Sequence, residues 1–141
     1  MQTNFSFTIA AELQNLAKLR RFVAETAATL EVEPEAIGDI QLAVDEAATN
    51  IIRHGYQNQP GQIEVEMSQI ADDIIIWLRD EAPPFDPTTV RQPDLTSPLH
   101  KRPPGGLGIY LMRQNVDEIH HRLTAKGGNE LTLIKGRVKD N

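Results

Sequence analysis

Residues Leu42 to Tyr56 read LAVDEAATNIIRHGY, and the spacing of the apolar residues in and before this stretch decides the fold around it. Ile37, Ile40, Val44, Ala47 and Ile51 recur at steps of three and four, which marks one face of an amphipathic helix. Glu33-Pro34-Glu35 opens that helix, with Pro34 in the first turn where its missing N–H costs nothing. Gly55 suits its C-terminal cap. Glu46 and Asn50 stand beside the apolar stripe, so a helix sets them on one side, one turn apart. A carboxylate next to a neutral amide suits phosphoryl transfer. The carboxylate can take a proton from an attacking hydroxyl. The amide oxygen can join the shell of Mg2+, a hard ion that takes oxygen ligands and keeps phosphates and waters around it. Alone, such a pair is more often a solvated helix surface; two later segments change that balance.

On either side of this helix the pattern alternates between helix and strand. Asn4 to Ala10 carries Phe5, Phe7 and Ile9 on one side, as a strand does. Glu12 to about Leu30 reads as a helix with Leu13, Leu16, Val23, Ala27 and Leu30 inward. Ile63, Val65 and Met67 alternate with Glu64 and Glu66, and Ile74 to Arg79 returns as a more apolar strand after Ala71-Asp72-Asp73, so the two form a hairpin. Between Asp80 and Gly106 the periodicity stops, and seven of the nine prolines fall there. A loop of that length inside a domain is uncommon and is often a lid or binding loop. Helical spacing resumes from Leu107 to Asn115. Val116 to Ala125 and Glu130 to Val138 read as two last strands around the turn Lys126-Gly127-Gly128-Asn129. Helices and a mostly antiparallel sheet in this order point to a two-layer α/β sandwich.

A chain of 141 residues, 40% hydrophobic and 24% charged, has ordinary globular composition and suits one domain with a real core. The net charge of −6 argues against direct binding of nucleic acid or an anionic membrane surface, both of which call for a basic face. No apolar run reaches the roughly 18 residues of a membrane span, and MQTNFSFTIAAEL lacks the basic and long apolar regions of a signal peptide. The absence of cysteine excludes disulfides, thiolate metal sites and cysteine nucleophiles, and fits a cytoplasmic protein. His120 and His121 are neighbours in an expected strand and so point to opposite faces, which disfavours a histidine metal site.

The second informative segment is Asp80-Glu81-Ala82-Pro83-Pro84-Phe85-Asp86-Pro87, directly after a buried strand. An Asp at a strand end can present a fixed carboxylate at the mouth of a pocket. A carboxylate only accepts hydrogen bonds, so it suits the exocyclic amine of adenine and not the carbonyl of guanine. An Asp that simply opens a turn is the plainer alternative. The third segment is Pro103-Pro104-Gly105-Gly106-Leu107-Gly108-Ile109-Tyr110-Leu111-Met112. Glycines let backbone N–H groups approach an anion, and the helix that follows offers its N-terminus to phosphate. No Lys-Ser or Lys-Thr follows the glycines, so this is not a Walker loop. The strand and spacing of the dinucleotide fingerprint are also missing.

In this order, the three segments resemble the N box and the first and second glycine boxes of the GHKL ATPase superfamily, which includes gyrase and the sensor histidine kinases. Within it, the chain resembles the bacterial anti-sigma factor serine/threonine kinases, which act on sigma factors by partner switching. The resemblance runs from the first strand to the last. It is most specific at Val44 to Asn50 with His54-Gly55-Tyr56, at Pro84 to Pro87 and at Gly106 to Leu111. It implies the GHKL (Bergerat) form of the α/β sandwich, with helices on one face of the sheet, in a single domain over residues 1–141. It also implies ATP or ADP with Mg2+ as ligands, and as partners a STAS-type anti-sigma factor antagonist, a sigma factor and a second copy of the chain. Glu46 is then the general base toward a Ser or Thr hydroxyl or water, Asn50 the Mg2+ ligand and Asp80 the partner of the adenine amine. Ala82 and Phe85 join the nucleotide-binding residues. Gly105, Gly106, Leu107 and Gly108 supply the lid hinge and phosphate donors, and residues 86–104 form the lid. Arg53 faces the phosphates or a carboxylate, Lys101 and Arg102 sit in the lid near the terminal phosphate, and His54 caps the helix or packs locally. Arg20 and Arg21 of the first helix offer at least one outward cation to an acidic partner. One residue departs from the pattern: Ala82 stands where the first glycine box has Gly, and its Cβ narrows the backbone angles. The alternative is a nucleotide-binding regulatory module that acts by partner binding without kinase activity.

Overall fold

In a computed structural model of the chain, residues 3–89 and 107–136 are described. The elements run β1 (Phe5–Ala10), α1 (Leu16–Thr29), α2 (Pro34–Asn50), β2 (Gln62–Ile70), β3 (Asp73–Asp80), α3 (Leu107–Asn115), β4 (Glu118–Leu123) and β5 (Asn129–Lys135). The five strands form one sheet in the order β1-β2-β3-β5-β4, and every neighbouring pair is antiparallel. Strand alternation puts Ile63, Val65 and Met67 on the same face as Ile74, Ile76 and Leu78, and all six are buried. Helical spacing puts Leu19 and Val23 of α1, Ile40, Val44 and Ala47 of α2 and Met112 of α3 against them. Burying one Leu, Ile or Val side chain contributes about 1.5–3 kcal/mol, so this single interface between helices and sheet is what holds the layers together.

The opposite sheet face needs no helix. Glu64, Arg79, Glu130 and Arg122 fall in one cross-strand row of alternating charge. Arg79 lies 2.8 Å from Glu64, 2.7 Å from Glu66 and 2.8 Å from Glu130, and Arg122 lies 2.6 Å from Glu130. The Glu130 carboxyl is held below its ordinary value, first by the bond from Arg122 and then, against the effect of burial, by Arg79.

Several expected boundaries move. A separate 3-10 turn, Leu13–Asn15, precedes α1, so Leu13 is 43% exposed rather than inward, and Leu19 takes its place in the core. The second helix stops at Asn50 and widens into a π turn over Ile51–Gly55. There the Tyr56 N–H donates to the Ile51 carbonyl at 2.8 Å, one residue further back than an α-helix would allow. Gly55 is therefore not a left-handed cap. Positive φ falls instead on Gln57 (54°) and Asn58 (63°), where the slipped hydrogen-bond frame ends. The last two strands are shorter than expected, and Val138 lies outside the described residues. So do Lys101, Arg102, Gly105, Gly106 and the expected lid from residue 90 to 104. Among the described residues, no helix is long and apolar enough to cross a membrane.

Candidate functional site

Helix α3 packs on α2, and the contact falls on the residues that matter. A Cβ built on Gly108, in the first turn of α3, would lie 2.5 Å from Glu46 Oε2 and 3.8 Å from Asn50 Nδ2. A side chain there would force the Glu46 carboxylate, the far end of a flexible side chain, to shift. Gly108 thus sets the start of α3 against Glu46 and Asn50, which lie 62 and 58 residues earlier in the sequence. The Glu46 carboxyl is raised above its ordinary value, first by burial and then by the charge of Asp45, with Arg53 opposing. Asp45 is itself paired with Arg20 of α1 at 3.0 Å. Arg53 sits exposed on the π turn and acts on Glu46 through its charge. Among the described residues, Asn50 Nδ2 is the one buried side-chain nitrogen or oxygen without a hydrogen-bond partner.

The other end of the site is built where β3 and β5 finish. Asp80 and Asn129 are direct cross-strand partners, 6% and 4% exposed. Asp80 Oδ1 accepts the Ala82 N–H at 2.9 Å and Asn129 Nδ2–H at 2.9 Å. Burial raises the Asp80 carboxyl, while Asn129, the Ala82 N–H and His121 work to keep it ionised. Gly128 makes this approach feasible, because a Cβ there would run into the Asp80 carbonyl oxygen. Asn129 Oδ1 in turn accepts the Phe85 N–H at 2.9 Å and faces His121 Nε2 at 2.8 Å. The Tyr56 hydroxyl ties the same loop to β2: it accepts the Glu81 N–H at 2.8 Å and donates to the Gln62 carbonyl at 2.7 Å. The rings of His54, which is exposed, and Phe85 lie 6.1 Å apart and tilted. Pro87–Thr89 forms a 3-10 turn, with the Thr88 N–H and hydroxyl on Asp86 Oδ1 and the Thr88 carbonyl accepting from Arg113 of α3 at 2.6 Å. One cavity joins both ends and is lined by Ala47, Asn50, Asp80, Phe85, Met112 and His121, among others.

The sequence-derived residues Glu46, Asn50, Asp80, Ala82, Phe85 and Gly108 therefore converge on one region of the fold. Leu107 begins α3. Asn129, His121 and Tyr56 were not among the expected site residues. A signal for the first two exists in the sequence: each is a polar residue in inward register, with Leu131 and Leu133 in β5 and Ile119 in β4.

The family model of the histidine kinase-like ATPase domain matches residues 9–135. The chain belongs to the histidine kinase-like ATPase family. It is 30% identical over 115 residues to the serine-protein kinase RsbW of Bacillus cereus (strain Q1), covering 79% of this chain and 72% of the relative. It is 29% identical, with the same coverage, to the serine-protein kinase RsbW of Bacillus thuringiensis subsp. konkukian (strain 97-27). These relatives make it a serine/threonine kinase of this family. In fold it is similar to a crystal structure of the RsbU and RsbW domains of a Mycobacterium tuberculosis protein, with a TM-score of 0.65 and 20% identity. That match covers 95% of this chain but only 32% of the larger one. For a histidine kinase-like ATPase, Ala82 in the first glycine box is accommodated simply. Its φ is not positive. Its side chain is 1% exposed and lies over Gly55, where an added Cβ would come within 3.3 Å of the Ala82 Cβ.

Proposed function

We propose that the chain is an ATP- and Mg2+-dependent protein kinase that phosphorylates a serine or threonine of a STAS-type anti-sigma factor antagonist and sequesters a sigma factor. The observation that carries this reading is the Glu46 carboxylate seated against Gly108 at the start of α3, one turn from an Asn50 amide whose nitrogen has no protein partner. The residues fit the ion. An Asn amide can turn about its terminal bond to present Oδ1, a neutral oxygen of the kind Mg2+ takes. Bound there, the ion would neutralise phosphate charge. Asp80 accepts the adenine amine, and the N-terminal N–H groups of α3 face the phosphates. Glu46 takes the proton of the serine hydroxyl as that oxygen bonds to the terminal phosphorus. The bond from that phosphorus to the bridging oxygen breaks, and ADP leaves with the electron pair. A raised carboxyl is a stronger base than an ordinary one once ionised. The Arg53 charge opposes that rise.

Incubation with terminally labelled ATP, Mg2+ and a STAS antagonist encoded nearby should place label on one serine or threonine of the antagonist. An antagonist that forms a nucleotide-dependent complex yet never acquires label would favour the regulatory module without kinase activity. The retained Glu46 argues against that second reading. A homodimer belongs to the same proposal; among the described residues, β1 ends the sheet at one side, where a second chain would meet it. Light scattering at micromolar concentration should return twice the 15.7 kDa of one chain; the mass of a single chain would remove the dimer.

A further inference from the structure

We propose that His121 is a positioning residue for base recognition, holding the Asn129 amide on Asp80 through Nε2 while Nδ1 faces Asp86. The inference deepens the reading of Asp80 as the adenine anchor and rests on it. The two ends of the Asn129 amide meet opposite chemistries. Its Nδ2 is 2.9 Å from Asp80 Oδ1 and 3.2 Å from each of the Ala82 and Pro83 carbonyl oxygens, all acceptors. Its Oδ1 meets the Phe85 N–H at 2.9 Å and His121 Nε2 at 2.8 Å. An amide oxygen cannot donate, so His121 Nε2 carries the hydrogen. That leaves Nδ1 as the second nitrogen, 3.8 Å from Asp86 Oδ2.

The consequence is directional. With two donors on Oδ1, Nδ2 is held toward Asp80, and the hydrogen bonds from Asn129 and the Ala82 N–H to that carboxylate both fall on Oδ1. Oδ2 is then the acceptor presented to the cavity that Asp80 and His121 line together. A reversed Asn129 would set its oxygen against a carboxylate and two carbonyls and would release Asp80 to rotate. His121 has little room to desert this role, since its side chain is 9% exposed and lies in inward register with Ile119. It reaches two parts of the site at once: Asp80 through Asn129, and the Phe85 loop through the shared oxygen. Buried polar groups joined in this way act as one unit, and removing a member releases the others.

The test is calorimetric binding of ADP and GDP to the parent, His121→Leu, His121→Gln and Asp80→Asn proteins. Gln can place its amide N–H near the position of Nε2, whereas Leu has no donor. His121→Leu should weaken ADP by about tenfold, the scale of one hydrogen bond to a buried group. It should leave GDP nearly unchanged, so that the preference for adenine narrows, and His121→Gln should recover most of the loss. Equal weakening of ADP and GDP, with Gln no better than Leu, would show a structural role only and overturn the proposal; so would parental ADP affinity in His121→Leu. If His121→Leu does not fold, His121→Asn takes its place, since its shorter amide cannot reach Asn129. Gln must then bind ADP better than Asn for the proposal to stand. Asp80→Asn separates the two layers of inference. If it leaves ADP affinity unchanged, the adenine anchor itself is wrong. If it weakens ADP while His121→Leu does not, only the role of His121 is lost.

Discussion

Glu46→Gln should lower the rate of phosphoryl transfer by about 10²–10⁴-fold, the range over which a positioned general base acts, and leave nucleotide affinity within about twofold of the parent. Gln keeps the length and shape that fit against Gly108 but cannot take the serine proton. The raised Glu46 carboxyl sets the sign of two further effects. A carboxyl whose folded value lies above its unfolded value binds protons more tightly when folded. It therefore costs the fold stability as pH rises from the ordinary carboxylate range through the raised value. Glu46→Gln removes that cost, so its melting temperature at neutral pH should equal or exceed that of the parent. Parental turnover should rise with pH through the Glu46 titration and level off above it. A variant that melts earlier, or that no longer binds ADP, would assign Glu46 a structural role.

Asp80→Asn should weaken ATP by about 10–100-fold, the cost of leaving a buried polar pair mismatched, and move base preference toward guanine. The two donors already on Oδ1, the Ala82 N–H and Asn129 Nδ2, dictate which way the new amide settles. Its oxygen takes their place, and its NH₂ faces the cavity where an acceptor had been. That group opposes the adenine amine and suits the guanine carbonyl. The Asp80 carboxyl is raised by burial, so the neutral amide also removes a charge that the fold carries at a cost above the carboxylate range. The variant should fold and melt no earlier than the parent. In the parent, ATP affinity should fall as acid protonates Asp80. Calorimetry with ATP and GTP across pH reads both effects, and unchanged ATP affinity in Asp80→Asn would exclude Asp80 as the anchor.

The site was legible in the sequence wherever chemistry and local periodicity coincide. Glu46 and Asn50 follow from one helical repeat, and Asp80 from a carboxylate at the end of an apolar strand. Gly108 is different. The glycine-rich segment reads as a phosphate loop, but its contact with Glu46 depends on how α3 packs on α2, and no local pattern specifies that. Gly55 reads as a cap on local grounds, yet the helix slips into a π turn before reaching it, and its bare Cα serves Ala82 from the first glycine box instead. Leu13 fits the helical stripe but sits in a separate 3-10 turn, because the chain has not yet entered α1. In the sequence His121 reads only as one of two histidines on opposite faces, and Asn129 only as the end of a hairpin turn.

Taken alone, the sequence determined the elements, the antiparallel two-layer class and the three motifs, since alternation and helical repeat follow from backbone geometry within a few residues. Tertiary structure alone decided which polar groups share a hydrogen bond. The register of β3 on β5 sets Asn129 opposite Asp80, and that of β4 on β5 brings His121 beside it. A register is a property of paired strands, and a shift of one residue would turn each of these side chains to the other face.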